Sequence, residues 1–277
     1  MKKTLKKLAK NPRLAISGGI LLLVVIISLV ATFIAPYDPI EINSQAVLQP
    51  ADSTYIMGTD QFGRDIFSRL LYGARPSLVT ALGSTLISLF IGSLLGMIAG
   101  KYRGALEQFI MRLMDVVISF PPILLAMVVV GFIGGGVRNL IIIIGIVYIP
   151  TFARLAYSST IQVSEMEYFT AARCTGVKDF RIFTRYILPN ILSPLIVQAS
   201  LTFAAAILLE SGLSFLGLGV IPPTPSWGLM IGDARGYLFK APMYAVWPSI
   251  AITTTILSAN IFGDALRDIL DPRLRGL

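Results

Sequence analysis

The stretch Glu167–Asn190, EYFTAARCTGVKDFRIFTRYILPN, decides how this chain is interpreted, because it is polar and basic and lies between two long apolar runs. Its residues favour helices, and Gly176 interrupts them near the middle. The polar segment to which it belongs, 158–190, exceeds the roughly two to eight residues that usually connect neighbouring helices of a bundle. We therefore expect this loop to present a surface on which a soluble protein docks at the membrane.

The composition is that of a membrane protein. Apolar residues make up 55% of the 277 residues, and charged residues make up only 14%, whereas a soluble domain carries about 25% charged residues. Six apolar stretches are each close to the roughly 20 residues that cross a hydrocarbon core as a helix. These stretches are 14–35, 77–99, 109–133, 139–157, 191–215 and 244–262. The sequence therefore predicts an all-α integral membrane protein with six transmembrane helices.

The basic residues indicate how these helices are oriented. Most of the 23 lysines and arginines fall in the N-terminal segment 1–13, in two polar loops and in the tail 266–277. Because cytoplasmic loops are enriched in basic residues, both termini are predicted to be cytoplasmic and 36–75 to be an extracytoplasmic loop. The apolar run 14–35 exceeds the roughly 7–15 residues of a signal-peptide core, so it is predicted to be a retained anchor. The net charge of +8 then reflects topology and anionic lipid, not nucleic acid.

Few residues in this sequence support catalysis. The chain has no histidine, which excludes a Ser–His or Cys–His nucleophile and removes the commonest transition-metal ligand. Its single cysteine, Cys174, cannot form an internal disulfide. Neither a GxxxxGK[ST] phosphate loop nor an HExxH motif occurs. We therefore expect a non-catalytic chain without a metal or cofactor of its own, so that energy for active work comes from another subunit.

A charged motif occupies the second half of the extracytoplasmic loop, GTDQFGRDIFSRLLYGARPSL. Asp60 and Arg64 are four residues apart, as are Asp65 and Arg69, so each pair can meet on one face of a helix. We predict a salt-bridged helical lead-in to the next span, with direct substrate contact as the alternative. The candidate residues of this motif are Asp60, Gly63, Arg64, Asp65 and Arg69.

Three residues inside the apolar stretches are candidates for a translocation pathway. Pro121 and Pro122 interrupt the stretch 109–133, where a proline removes a helical hydrogen bond and kinks or breaks the helix. Glu210 lies in the stretch 191–215, where a carboxylate is costly and faces protein or water. Glu210 therefore either lines or gates a pathway or makes a structural hydrogen bond to a neighbouring helix.

Other positions carry structural predictions. Gly92 and Gly96 form a small-xxx-small face for close helix packing. Asp115 follows Arg112 by three residues and is expected to pair with it. Trp227, in a proline-rich loop, suits the membrane interface.

The docking loop itself is predicted to contain two short helices, Tyr168–Thr175 and Lys178–Tyr186. They are separated at Gly176, because glycine adopts the backbone angles of a tight turn or a helix C-cap, and Pro189 marks the entry to the next span. Small side chains let a partner approach closely, and basic side chains can pair with acidic residues on its rim. These small and basic residues are Ala171, Ala172, Arg173, Lys178, Arg181 and Arg185. A loop that binds inner-leaflet lipid is the alternative.

This loop resembles the EAA loop of prokaryotic ABC importer permeases, whose pattern is E-A-A-x-x-x-G followed by I-x-L-P. The matching residues are Thr170, Ala171, Ala172, Gly176, Leu188 and Pro189. Two departures occur, since Thr170 replaces the glutamate and Tyr186 occupies the isoleucine position. Glu167, three residues earlier, can supply the acidic group.

Three further blocks, Gly58–Leu78, Ser214–Arg235 and Asn260–Arg275, resemble the oligopeptide/dipeptide/nickel subfamily and, within it, the C-type permease of an unlike pair. The resemblance implies a type I ABC importer permease fold in a prokaryotic plasma membrane. The ABC type-1 transmembrane domain is then expected at 76–265, with the ATPase-coupling loop at 158–190.

The same resemblance implies a set of partners. They are a second, B-type permease, two ATP-binding subunits that use ATP and Mg²⁺, and an extracytoplasmic substrate-binding protein. Di- or oligopeptides are the first candidate substrates, and nickel or a metal–metallophore chelate is the alternative. An ATP-independent carrier or channel and a membrane enzyme are the competing functions. Scattered acidic residues and the lack of two matched broken helices argue against both.

Overall fold

The computed structural model describes residues 12–270, which form ten α-helices numbered here in chain order. They are α1 Pro12–Ile34, α2 Ile66–Tyr102, α3 Gly104–Ile118, α4 Pro122–Ile133, α5 Val137–Ser164, α6 Glu167–Cys174, α7 Asp179–Arg181, α8 Leu188–Phe215, α9 Trp227–Ala234 and α10 Pro242–Leu270. A π-helix, Ile182–Ile187, joins α7 to α8. The predictions for 1–11, in the N-terminal segment, and for 271–277, in the tail, lie outside the described residues.

The six predicted apolar stretches correspond to the long helices of the bundle. Within 12–270, five helices are each long and apolar enough to cross a membrane. One of them, Asp179–Phe215, consists of α7, the π-helix and α8 in one continuous run. α3 and α4 make up a sixth candidate span, which is bent by 88° at their junction. The predicted break at Pro121–Pro122 is therefore confirmed. Pro121 has a ψ of 130°, because a residue that precedes proline is disfavoured in the helical region.

Two helices pack so closely that only glycine fits between them. α2 and α5 lie against each other along much of their length. A Cβ added at Gly92 would lie 2.5 Å from the carbonyl oxygen of Ile149, and one at Gly96 would lie 2.2 Å from that of Ala153. Both distances are far below van der Waals contact, so the predicted small-xxx-small face is confirmed and α5 is the helix it packs against.

The bundle has two ends, which we name by the segments they carry. The loop end carries Tyr102, Ser164 and the loop Glu167–Asn190, and the far end carries α9 and the segment 36–65. α1 and α10 pack together, with the ring of Phe262 lying against Gly18. Both ends of the described chain therefore lie at the loop end. That this end faces the cytoplasm stays a prediction.

The far end contains a short helix, α9, which is packed between α8 and α10. Trp227 at its start is buried, and its Nε1 donates a hydrogen bond to the carbonyl oxygen of Leu70 at 3.0 Å. That Trp227 lies at the level of the membrane interface stays a prediction, but its side chain is not exposed there. Its indole finds its polar partner on α2 inside the protein rather than among lipid headgroups.

Candidate functional site

The polar loop folds as the sequence predicts, into helix, glycine turn and helix. α6 ends at Cys174, and Gly176 has a φ of +70°, a left-handed conformation that favours glycine. α7 then begins at Asp179 and runs without interruption through the π-helix into α8. Pro189 lies at the start of α8, where its missing N–H costs little. The second half of the loop is thus a direct extension of the helix Asp179–Phe215.

Apolar side chains fasten this loop to the bundle. Phe169 on α6 and Ile182 and Ile187 on the π-helix are almost fully buried. They share one cluster with Phe152 and Val163 of α5. Burying an aromatic or branched side chain contributes about 1.5–3 kcal/mol, so three such anchors hold the loop firmly. Phe169 was not predicted to be an anchor, although its spacing of three from Ala172 is typical of one helical face.

The face of α6 that points away from the bundle differs in part from the prediction. Thr170 and Ala171 are exposed, but Ala172 is 6% exposed and lies against the chain itself. The prediction that Ala172 is open to a partner is therefore wrong, because Ala172 lies on the same helical face as Phe169. The other exposed residues of the loop that were predicted to belong to this surface are Glu167, Gly176, Lys178, Arg181, Arg185 and Pro189. Arg173 lies in α6, and its side chain is outside the described part of the structure.

A polar contact between this loop and the end of α2 was not predicted from the sequence. The ammonium group of Lys101 forms a salt bridge with Asp179, and the hydroxyl of Tyr102 donates a hydrogen bond to the other carboxylate oxygen of Asp179 at 2.7 Å. The Lys101 ammonium also lies over the ring of Phe183 from the π-helix, 4.7 Å from its centroid. These residues are distant in sequence, so only the fold brings them together.

The charged motif at the far end forms a buried cluster of two aspartates and two arginines. Arg64 Nε lies 2.6 Å from Asp60 Oδ2, and Arg69 Nε lies 3.3 Å from the same oxygen. Asp233 of α9 lies 3.8 Å from Arg64 Nη2 and 3.9 Å from Arg69 Nη2. The Nη1 of Arg69 also donates to the carbonyl oxygen of Pro39 at 3.0 Å. The cluster therefore joins the segment 36–65, α2 and α9 at one point.

This arrangement corrects one predicted pair. Asp65 does not pair with Arg69 but caps the N-terminus of α2, where its Oδ2 accepts hydrogen bonds from Ser68 N at 2.7 Å and from Ser68 Oγ at 2.6 Å. α2 begins only at Ile66, so Asp60 and Arg64 pair in a turn rather than on a helix face. Gly63 completes the turn with a φ of +74°, and a Cβ there would lie 1.8 Å from the carbonyl oxygen of Asn43.

Burial favours the structural interpretation of this cluster over substrate contact. Asp60 and Arg69 are fully buried, and Arg64 is 6% exposed. Burial also raises the pKa of Asp233 above its usual range, while the charges of Arg69 and Arg64 act in the opposite direction. The paired charges therefore stabilise one another and leave little surface for a ligand.

The pathway candidates differ in their surroundings. Glu210 is fully buried, and its Oε1 accepts a hydrogen bond from Ser214 Oγ at 2.7 Å within α8. The Oγ of Ser214 also accepts a hydrogen bond from the backbone N–H of Val220 at 3.2 Å, which ties the end of α8 to the following turn. This favours a structural hydrogen bond, and the bond to Ser214 lies within α8 itself. Pro121 and Pro122 are exposed at the α3–α4 break, and their role in a pathway stays a prediction.

α3 is tied to α5 rather than paired internally. The Nη2 of Arg154 on α5 donates to Asp115 Oδ1 at 2.6 Å, so the expected pair of Asp115 with Arg112 is wrong. Tyr157 of α5 likewise donates a hydrogen bond to Glu107. Asp115 and Glu107 thus both find their partners on the adjacent helix α5. The sequence spacing along α3 does not reveal these partners.

The models of two known protein families match this chain. Residues 92–276 match the family described as the inner membrane component of binding-protein-dependent transport systems. Residues 1–51 match the N-terminal transmembrane domain of oligopeptide transport permease C. The chain belongs to the binding-protein-dependent transport permeases. The loop Glu167–Asn190 lies inside the first of these two matches.

Several curated relatives cover most of the permease. A di/tripeptide transport system permease protein of Pseudomonas aeruginosa, DppC, is 42% identical over 93% of this chain and 88% of its own length. A glutathione transport system permease protein of Pectobacterium atrosepticum, GsiD, is 40% identical over 94% and 87%. A dipeptide permease of Alkalihalophilus pseudofirmus, DppC, is 41% identical over 98% and 89%. Together they establish a multi-pass protein of the bacterial inner membrane.

A solved structure shares the fold at low sequence identity. A chain of the inward-facing MetNI methionine ABC transporter superposes with a TM-score of 0.57 at 18% identity, covering 73% of the permease and 97% of that chain. The predicted ABC importer permease fold is therefore confirmed.

Proposed function

We propose that this permease is the C-type transmembrane subunit of an ATP-driven importer of di- or oligopeptides. The names of its relatives support peptides as the substrate class, since di/tripeptide, glutathione and dipeptide permeases all match over nearly the whole chain. The substrate would cross along a pathway formed with a second, B-type permease. An extracytoplasmic binding protein would deliver the substrate to the far end.

The observation that carries the proposal is the construction of the coupling loop. Its inner face is buried against α5 through Phe169 and Ile182, while Thr170 and Ala171 stay exposed beside the turn at Gly176. A loop held so firmly, yet open on its outer face, can transmit force from a docked protein. Small residues let that protein approach closely, and Lys178 and Arg181 can pair with acidic residues on its rim.

In the proposed mechanism, two ATP-binding subunits dock at the loop end and hydrolyse ATP with Mg²⁺, while this chain binds neither. Closure of these subunits on ATP moves the coupling loops of both permeases together and favours the state that is open toward the binding protein. Such a shift requires ATP to bind one state more tightly than the other. Because this coupling is reciprocal, a substrate that favours the same state changes the affinity for ATP. The permease itself performs no chemical step.

The proposal is tested first by co-purification from native membranes in mild detergent, followed by mass spectrometry. We expect a second permease and two ATP-binding subunits to accompany the tagged chain. Cys174, the only cysteine, is exposed on α6, so its reaction with a maleimide reports on docking. Labelling is expected to be slow in the complex and fast after the ATP-binding subunits are stripped. Recovery of the chain alone, with transport intact, would refute the proposal.

The substrate is tested separately. The co-purified binding protein is titrated with di- and oligopeptides and, in parallel, with nickel and metal chelates. Binding of peptides alone supports the proposal. Binding of a chelate and not of peptides would assign the same complex to metal uptake.

A further inference from the structure

Asp179, the first residue of α7, is held at both of its carboxylate oxygens by the end of α2. Its Oδ1 pairs with the ammonium of Lys101, and its Oδ2 accepts the hydrogen bond from the hydroxyl of Tyr102 at 2.7 Å. The side chain of Lys101 is only 9% exposed, whereas that of Asp179 is 59% exposed, so the salt bridge lies at the surface with its ammonium group shielded from water. One carboxylate thus fixes the coupling loop to two consecutive residues of α2.

A second contact fixes the loop to the same lysine. The ammonium of Lys101 lies 4.5 Å from the ring centroid of Tyr102 and 4.7 Å from that of Phe183 in the π-helix. The two rings are themselves 6.2 Å apart. Lys101 is therefore shared between an acid and an aromatic ring of the loop, in the geometry that favours cation–π attraction. We call Lys101, Tyr102, Asp179 and Phe183 the latch.

The latch lies where the backbone changes direction between two spans. Arg103, the next residue, has a φ of +46°, and Gly104 has a φ of +71°; the former is uncommon for a residue with a side chain. α3 starts at Gly104 and forms the first arm of the broken span. It is bound to α5 through Asp115 and Arg154. A displacement of Asp179 would therefore act directly on the elbow that sets the direction of α3.

We propose that Asp179 is a positioning residue that locks the coupling loop to the elbow between α2 and α3. Through this lock, movement of the loop is passed to the broken span instead of being absorbed within the loop. This inference rests on the proposed function, because it concerns how docking of the ATP-binding subunits is transmitted. The apolar anchors Phe169 and Ile182 pack in a cluster with residues of α5 and with Met97 of α2, and the latch adds the polar contacts that tie the loop to the end of α2.

The experiment uses the complete transporter reconstituted in liposomes, with uptake and ATP hydrolysis measured together. Asp179→Asn, Lys101→Met and the double variant are compared with Asp268→Asn, which changes an exposed carboxylate near the end of α10 at the same end of the bundle. Uptake per ATP is expected to fall at least about fivefold in each single latch variant, the lower limit of typical coupling between sites. ATP hydrolysis continues, and Asp268→Asn behaves as the wild type.

The double variant separates the latch from two independent defects. If Asp179 and Lys101 act through one contact, the double variant loses no more uptake per ATP than the worse single variant. Additive losses, or an unchanged ratio in Asp179→Asn, would overturn the inference. If Asp179→Asn does not assemble, Tyr102→Phe removes only the hydroxyl, and an unchanged ratio in that variant would equally overturn it. A wild-type preparation without ATP-binding subunits would instead contradict the proposed function.

Discussion

Asp60→Asn tests whether the buried cluster at the far end holds the permease together. The substitution keeps the size of the side chain but removes the charge that lies 2.6 Å from Arg64 Nε and 3.3 Å from Arg69 Nε. Among the described residues that form the cluster, only Asp233 would then remain to balance two buried arginines, at 3.8 and 3.9 Å.

The expected cost follows from this geometry. Removing one partner of a buried ion pair destabilises a protein by about 3–5 kcal/mol, because the remaining charge stays buried without compensation. Asp60 serves two arginines, and its Oδ1 also accepts backbone hydrogen bonds from Phe62 at 2.8 Å and from Arg64 at 3.0 Å. We therefore expect a loss of about 3–5 kcal/mol in the free energy of unfolding, a large part of the stability of a typical domain.

Intrinsic fluorescence provides the assay. The two tryptophans of the chain are Trp227, at the start of α9, and Trp247, in the first turns of α10, so both report on the far end. The purified protein in mild detergent is unfolded by titration with dodecyl sulfate. Asp60→Asn is expected to lower the midpoint strongly.

Two further variants make the result specific. Asp52→Asn introduces the same change at an exposed carboxylate of the same segment and is expected to shift the midpoint much less. Adding Arg64→Met to Asp60→Asn restores the charge balance and is expected to recover part of the loss. Equal midpoints for the Asp60 and Asp52 variants would refute the reasoning.

Three other predictions address the loop, the buried glutamate and the pH dependence. Ala172→Asp places a charge on the buried face of α6 and is expected to loosen the loop, seen as faster tryptic cleavage within the loop in the isolated chain; Ala171→Asp, on the exposed face, should leave cleavage unchanged but weaken recovery of the ATP-binding subunits. Glu210→Ala leaves the Ser214 hydroxyl without its acceptor and is expected to cost about 1–3 kcal/mol in detergent unfolding, whereas Glu210→Gln should restore both stability and uptake; normal folding with lost uptake in the Gln variant would return Glu210 to a pathway role. Hydrogen bonds hold the pKa of Asp52 below its usual value of about 3.9, and the bond donated by the backbone N–H of Tyr55 has the largest effect. The stability that Asp52 contributes is therefore present above that value and lost as the pH falls through the lowered pKa; Asp52→Asn should flatten this part of the acid-unfolding profile, and an unchanged profile would exclude the effect.

Features that depend on local chemistry could be predicted from the sequence. Gly176 separates two helices because few other residues accept its backbone angles, and Pro121–Pro122 breaks a span because proline cannot continue its hydrogen bonds. Gly92 and Gly96 mark a close helix contact for a similar reason, because glycines spaced four apart in a membrane helix let a second helix approach closely.

Contacts between distant segments could not be predicted in the same way. Asp233 joins the far-end cluster from α9, and Asp115 pairs with Arg154 of α5 rather than with Arg112 on its own helix. Charge and spacing indicate which side chains need a partner, but the tertiary fold determines which partner each of them finds. Asp179 shows this most clearly, because nothing in its own neighbourhood in the sequence points to the end of α2.

The glycine contact between α2 and α5 restricts how the permease can change shape. Turning α2 about its own axis by one residue, about 100°, would replace Gly92 and Gly96 with residues that have side chains, at positions where even a Cβ would meet the backbone within 2.5 and 2.2 Å. Such a rotation is therefore blocked, and we expect α2 and α5 to move as one rigid unit. We therefore expect a change of shape to occur at hinges, and the break between α3 and α4, where the two helices are bent by 88°, is the hinge that this geometry favours.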